Sequence, residues 1–401
     1  MPSDDPVDAG DRSLLAIFLA FLKLGLTSFG GPIAHLGYFR NEFVTRRKWI
    51  SEQDYADLLA LCQFIPGPAS SQVGFALGVL RGRGIGGGIA AWCGFTLPSA
   101  LVLVGCALSA SMLSGPLADG FIHGLKLVAV AVVAHALQGM AIRLTPDMAR
   151  IGIALGALAL VVFIGGTAAQ MIAIAVGMLG GLLLCRAAQP AGPGHLDFPV
   201  ARRQAFAALL LFALLLFGLP LAAARGQGVA LFEAFYRAGA LVFGGGHVVL
   251  PLLQAAVVTP GWLSDASFLT GYGLAQAVPG PLFTLAAYLG AAMQPAPHGV
   301  AGAAIALIAI FLPGLLLVYG MLPFWDSLRT HAAAQAAMRG ANAAVVGILG
   351  AAFYDPVWRS AILRPEDVAA ALAGFLLLAV WNTPPWIVVV LLAASGMLFA
   401  L

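Results

Sequence analysis

Runs of about 20 apolar residues, each long enough to cross a bilayer as a helix, recur along almost the whole chain. They lie near 14–36, 54–79, 86–108, 120–142, 151–168, 170–185, 205–223, 229–253, 267–293, 300–322, 334–353, 366–381 and 385–401. Only 9% of the residues are charged, against roughly 25% in soluble domains, so there are too few charges to coat a water-facing surface. A chain whose solvent is hydrocarbon must satisfy its own backbone, which leaves helices or closed barrels. The runs lack strict alternation and therefore read as helices. The formal net charge of +3 is scattered, with no basic stripe for nucleic acid. Cys62, Cys93, Cys106 and Cys185 are far apart in apolar runs and read as packing residues. Met1 to Arg12 is acidic and polar, so the first apolar run is expected to be retained rather than cleaved as a signal peptide.

The chain repeats itself. Phe21-Leu22-Lys23-Leu24-Gly25 and Phe29-Gly30-Gly31 return as Phe235-Tyr236-Arg237-Ala238-Gly239 and Phe243-Gly244-Gly245, at an offset of 214 (235 − 21). Trp49-Ile50-Ser51-Glu52 returns as Trp262-Leu263-Ser264-Asp265, and Gln63 with Pro66-Gly67-Pro68 as Gln276 with Pro279-Gly280-Pro281, at an offset of 213 (276 − 63). Leu97-Pro98 then matches Leu312-Pro313, and Gly124 matches Gly340. So many scarce residues in one register mean duplication. The domains are expected at 13–186 and 205–401, joined by the polar, Pro/Gly-containing linker 187–204, with 205–223 as an extra helix.

Basic residues in short loops mark the cytoplasmic side. Arg40, Arg46, Arg47 and Lys48 follow the first Phe-Gly-Gly, and Arg81 and Arg83 follow the first Pro-Gly-Pro segment, whereas the equivalent loops 254–266 and 292–299 contain no Lys or Arg. Arg143, Arg150, Arg186, Arg202 and Arg203 continue the inside pattern; Arg359 and Arg364 run against it. Two inverted-topology repeats follow, with the extra helix supplying the odd crossing. Loops 40–53 and 80–85 fall on one side, so the segment between them is expected to enter and return, breaking at Pro66-Gly67-Pro68. The expected fold is an all-α polytopic membrane protein of about 10–13 segments with broken or re-entrant helices.

Pro and Gly in apolar runs interrupt helices. One such break reads as a packing kink. Four in repeat register read as a site at which half-helix N-termini turn N–H groups toward an anion. Candidate binding residues are therefore Gly30, Gly31, Gly67, Gly244, Gly245 and Gly280, with the polar neighbours Ser28, Gln63, Ser70, Ser71, Gln276 and Thr284. Lys23 and Arg237 lie at equivalent repeat positions, roughly 12–15 Å into their helices, where a cation is costly and functional by default. Both are expected to counter anionic cargo. Glu233 precedes Arg237 by four residues, either as an ion-pair partner or as a proton-coupling carboxylate, and His247 could titrate near neutrality. His123 and Lys126 read as interfacial. No metal-binding spacing, phosphate-binding loop, H-E-x-x-H or G-x-S-x-G is present, so no cofactor and no enzymatic activity are expected, and energy must come from an ion gradient or the membrane potential. That potential favours expelling an anion by about 2.3 kcal/mol per charge per 100 mV.

Phe21, Lys23, Gly25, Phe29-Gly30-Gly31, the Gln63 and Pro66-Gly67-Pro68 block and their second-half echoes resemble the chromate ion transporter family, in its long-chain two-domain bacterial form, from about residue 14 to 401. The resemblance implies chromate efflux across the bacterial inner (plasma) membrane, chromate resistance, halves of opposite topology, and sulfate as a competitor, since both ions are tetrahedral dianions. Arg237 in place of lysine, and Gly246-His247 in place of Pro32-Ile33, mean that the two half-sites need not contribute equally. The expected partners are chromate and the lipid bilayer; a homodimer is compatible with the sequence. The competing readings are a sulfate or other oxyanion permease, a membrane-embedded reductase lacking any visible cofactor site, and a scaffold, which need not place cations in mid-bilayer.

Overall fold

The computed structural model describes residues 13–29, 31–109, 115–185, 198–243, 246–328 and 330–398, and among them it is all-helical. The first repeat runs α1 (Leu14–Thr27), α2 (Gly31–Phe39), a π-helical turn (Arg40–Arg46), α3 (Glu52–Phe64), α4 (Ala69–Gly82), α5 (Ile85–Ser109), α6 (Pro116–Leu144), α7 (Met148–Ile164) and α8 (Gly166–Leu184). After α9 (Arg202–Ala222) the order returns: α10 (Gln227–Ala240), α11 (Val249–Val257), α12 (Asp265–Ala277), α13 (Leu285–Ala292), α14 (Gly299–Met321), α15 (Ala332–Ala352), α16 (Pro365–Ala379) and α17 (Pro385–Leu398). Five helices are long and apolar enough to cross a membrane by length and composition: Ile85–Ser109, Pro116–Leu144, Arg202–Arg225, Gly299–Phe324 and Ala332–Ala361.

All four interruptions fall at the glycine–proline motifs. α1 ends at Thr27 and α2 begins at Gly31; α3 ends at Phe64 and α4 begins at Ala69; α10 stops at Ala240 before a 3₁₀ turn at Gly246–Val248; and α12 stops at Ala277 before one at Leu282–Thr284. The repeated Trp-x-Ser motif has a local explanation. Ser51 Oγ accepts a hydrogen bond from the Asp54 amide and Ser264 Oγ from the Ser267 amide, so each serine caps a helix start and satisfies a donor that has no intrahelical partner.

Close packing follows the same duplication. A Cβ on Gly124 would stand 2.7 Å from Ala393 Cα where α6 crosses α17, and one on Gly340 would stand 2.7 Å from Gly181 Cα where α15 crosses α8. Only glycine permits the two backbones to touch there. The repeats also grip each other reciprocally. The Gly67 amide donates to Val242 O at 2.8 Å, and the Gly280 amide donates to Ser28 O at 3.0 Å. Residues 28 and 242 are one repeat register apart (242 − 28 = 214), as are 67 and 280 (280 − 67 = 213). Each Pro-Gly-Pro break therefore feeds its free amide to the Phe-Gly-Gly break of the other half, and buried backbone that a kink would orphan is paired.

At one end of the bundle, Arg47 and Arg81 both stack on Trp49, with guanidinium carbons 5.5 and 5.4 Å from the ring centroid. The loop before α3 and the end of α4 thus meet, as a hairpin of helices requires.

Candidate functional site

The breaks converge on a cavity of about 540 Å³, within the range of small-ligand pockets. Gly31, Gln63, Gly67 and Ala69 line it from the first repeat, and Gly246, His247, Gln276 and Asn342 from the second. Gly31 opens α2, Ala69 opens α4, and Gly246 opens the turn that leads into α11. Three helix starts therefore border one space, each with amides that have no intrahelical partner and with the positive end of its dipole. Such a surface suits an anion and carries no carboxylate among its lining residues.

Side chains add donors. His247 Nδ1 lies 2.8 Å from Tyr272 Oη, which fixes the ring. Gln276 Nε2 and Asn342 Oδ1 are buried without a hydrogen-bond partner among the described residues. An amide can turn either end inward, so both are available to a guest. One wall is the α6 face Val132, His135, Ala136, Gly139, Met140 and Arg143, and Leu378, Asn382, Thr383 and Pro385 also line the cavity. Exposed Arg143, with Nε donating to Gly139 O at 3.0 Å, places a fixed positive charge at the mouth.

Of the residues singled out from sequence, Gly31, Gln63, Gly67, His247 and Gln276 line the cavity. Gly30, Gly244 and Gly245 lie outside the described residues. Gly280 and Ser28 form the crossing behind the site, where Ser28 O also meets His35 Nε2 at 3.2 Å. Ser70 and Ser71 are buried in the first turn of α4, and Thr284 Oγ1 donates to Pro281 O at 2.7 Å. The repeat-related cations are not cavity residues. Lys23 is 53% exposed and sits 3.6 Å from Glu42, while Arg237 Nε sits 3.2 Å from Glu233. Each already has a carboxylate, so neither stands as an uncompensated charge awaiting cargo, and Glu233 is engaged as an ion-pair partner. His123 meets Asp367 at 2.7 Å, and Lys126 lies well inside α6 rather than at its edge. His135, Arg143, Asn342, Asn382 and Thr383 were not marked as binding residues by sequence; a search for polar residues beside the repeated Gly124 and Gly340 would have found Asn342.

Glu42 organises the basic loop. Burial pushes its carboxyl up, but hydrogen bonds from Arg47 and Arg46 and the charge of Lys23 outweigh that and hold it below its ordinary value of 4.5. A carboxylate depressed in the folded state stabilises fully above its ordinary pKa, and that contribution is lost as pH falls through the lowered value. The thermal midpoint of the purified protein should therefore decline on acidification below pH 4.5. Glu42→Gln should destabilise it at neutral pH by about 1–3 kcal/mol and flatten that decline; an unchanged acid profile in the variant would contradict this role.

Comparison with known proteins agrees with the duplication. The family described as chromate transporter matches residues 15–183 and again 229–397, two stretches displaced by 214 (229 − 15). The chain is 30% identical to the chromate transport protein of Pseudomonas aeruginosa over 94% of this chain and 90% of that one. It is 28% identical to the probable chromate transport protein of Synechococcus elongatus over 96% of each. With the chromate transport protein of Cupriavidus metallidurans it shares 27% over 91% of this chain and 88% of that one. No solved structure matches it significantly. An integral membrane protein whose both halves match one transporter family in repeat register belongs to that family, the chromate transporters.

Proposed function

We propose that this protein is a secondary transporter that exports chromate across the bacterial inner membrane and so confers chromate resistance. The observation that carries this reading is the meeting of three helix starts from both repeats in one cavity free of carboxylates. Oriented amides replace the hydration shell of a dianion there at no further ordering cost. In this reading the repeats occupy 13–186 and 205–401, follow the linker order given above, and have opposite topology with α9 as the inverting crossing. The reciprocal bonds Gly67–Val242 and Gly280–Ser28 support a two-fold relation between them. The basic loops support a cytoplasmic side for the cavity mouth at Arg143. Cargo then enters from the cytoplasm, and a negative-inside potential drives it out.

Everted membrane vesicles containing the protein should accumulate radiolabelled chromate, with sulfate competing. Arg143→Ala should raise the half-saturating chromate concentration about tenfold, the loss of one charge–charge interaction worth about 1.4 kcal/mol. Uptake of sulfate without chromate would make the protein a sulfate permease, and absence of any oxyanion uptake would overturn the reading.

A further inference from the structure

We propose that Lys126 is the residue that holds the oxyanion in the half of the path leading to the opposite membrane face, in the position that Asn342 takes in the half that is open here. This rests on the transport reading above and adds the group that recognises the anion on the exit side.

The placement comes from the repeat. Gly124 and Gly340 make the same close helix crossing, so the residues two places on, Lys126 in α6 and Asn342 in α15, hold equivalent positions. Asn342 lines the cavity with a buried, unpartnered amide oxygen. The cavity is one-sided. The α6 face of Val132, His135, Ala136, Gly139 and Met140 lines the cavity, while Ile348 and Ala352, the α15 residues equivalent to Val132 and Ala136 (132 + 216 and 136 + 216), are not among its lining residues. Exchanging the arrangements of the two halves, the general way duplicated transporters alternate access, closes the first face, opens the second and gives Lys126, on the opposite side, the place that Asn342 has in the cavity described above.

Lys126 is also chemically free for the task. It is partly buried, and among the described residues it has no ion pair or hydrogen bond, whereas Lys23 has Glu42 and Arg237 has Glu233. The nearby carboxylate, Asp367, is taken by His123 and by the Leu363 and Arg364 amides. Lys126 lies ten residues past Pro116, about 15 Å along a helix of about 42 Å, so even with an overhang of about 6 Å beyond a 30 Å hydrocarbon layer it sits about 9 Å deep. A lysine stem of about 6 Å does not reach the surface from there. An unpaired cation at that depth is retained for an anion. The two access states thus present different groups to the same dianion: a neutral amide with Arg143 at the mouth on one side, and an ammonium on the other.

The test separates the two faces. In everted vesicles the cytoplasmic face meets the medium and the opposite face meets the lumen. Chromate or sulfate loaded into the lumen should inhibit wild-type uptake. Lys126→Asn, which installs the residue of the equivalent position, should weaken that inhibition at least tenfold, a larger change than it makes in the KM for external chromate; Lys126→Arg should restore inhibition. Arg143→Ala should do the reverse, raising KM with lumenal inhibition intact. If Lys126→Asn does not yield folded protein by gel filtration, Lys126→Gln takes its place. Wild-type uptake without lumenal inhibition, or inhibition unchanged in the variant, overturns the assignment to Lys126 alone. Wild-type vesicles that transport no oxyanion overturn the transport reading instead.

Discussion

Gly67→Ala should reduce chromate uptake by everted vesicles at least tenfold, with the protein still inserted in the membrane. Gly67 has φ +130°, a region that side chains avoid at a cost of about 1–3 kcal/mol. The added methyl would also stand 2.7 Å from Gln72 Nε2 and 3.0 Å from Gly314 Cα. Gln72 can yield only by giving up its hydrogen bonds to Pro66 O and Gly314 O, and the Gly67 amide holds Val242. The strain therefore enters both breaks beside the cavity that Gly67 lines. Gly280→Ala should act in the same direction but less severely. Its φ of +109° is equally unfavourable, yet the nearest atom is Ser99 Oγ at 2.7 Å, a hydroxyl that can rotate away. Wild-type uptake in Gly67→Ala would mean that the break geometry does not set transport.

Gly340→Val should abolish recovery of monodisperse protein. Its Cβ would overlap the Gly177 carbonyl and stand 2.7 Å from Gly181 Cα, so α15 and α8 would have to part along their length. Overpacking typically costs about 1–3 kcal/mol where side chains can adjust; here both obstacles are backbone and the cost exceeds that range. Gly105→Val in α5 is the control, because nothing lies within 4 Å of its Cβ and the site is exposed. Equal yields of the two variants on size-exclusion chromatography would refute the packing argument.

The breaks, the duplication and the helix order were legible because each leaves a local mark. Glycine and proline interrupt a helix wherever they stand, and a repeated Trp-x-Ser is a repeated cap. Part of the cavity lining was legible to the same extent: Gly31, Gln63, Gly67, His247 and Gln276 sit at or beside breaks and do line the cavity. The ion pairs of the two repeat-related cations were not legible, for a different reason. Depth along a helix can be counted from sequence, but the partner across the bundle cannot. Glu42 lies in a turn that hydropathy marks only as a charged loop, and nothing in the spacing brings it back to Lys23. Arg143 was read as a topology marker, which does not tell whether its side chain faces lipid, water or a cavity. Asn342 and the Asn382–Thr383 turn reach the site through helix crossings more than 190 residues from Gly31 and Gln63, so only packing could join them.

The paired amide donations at the centre of the molecule have a consequence for how such a protein can arise. A single ancestral half would carry a main-chain amide, at the position equivalent to Gly67, whose partner in this structure lies on the other half. In hydrocarbon an unpaired amide such as that of Gly67 costs several kcal/mol, so a half-length chain would gain stability by pairing with a second half. Fusion of two such genes then makes permanent an embrace that the backbone already demands, after which the copies are free to diverge, one keeping a lysine where the other has an asparagine.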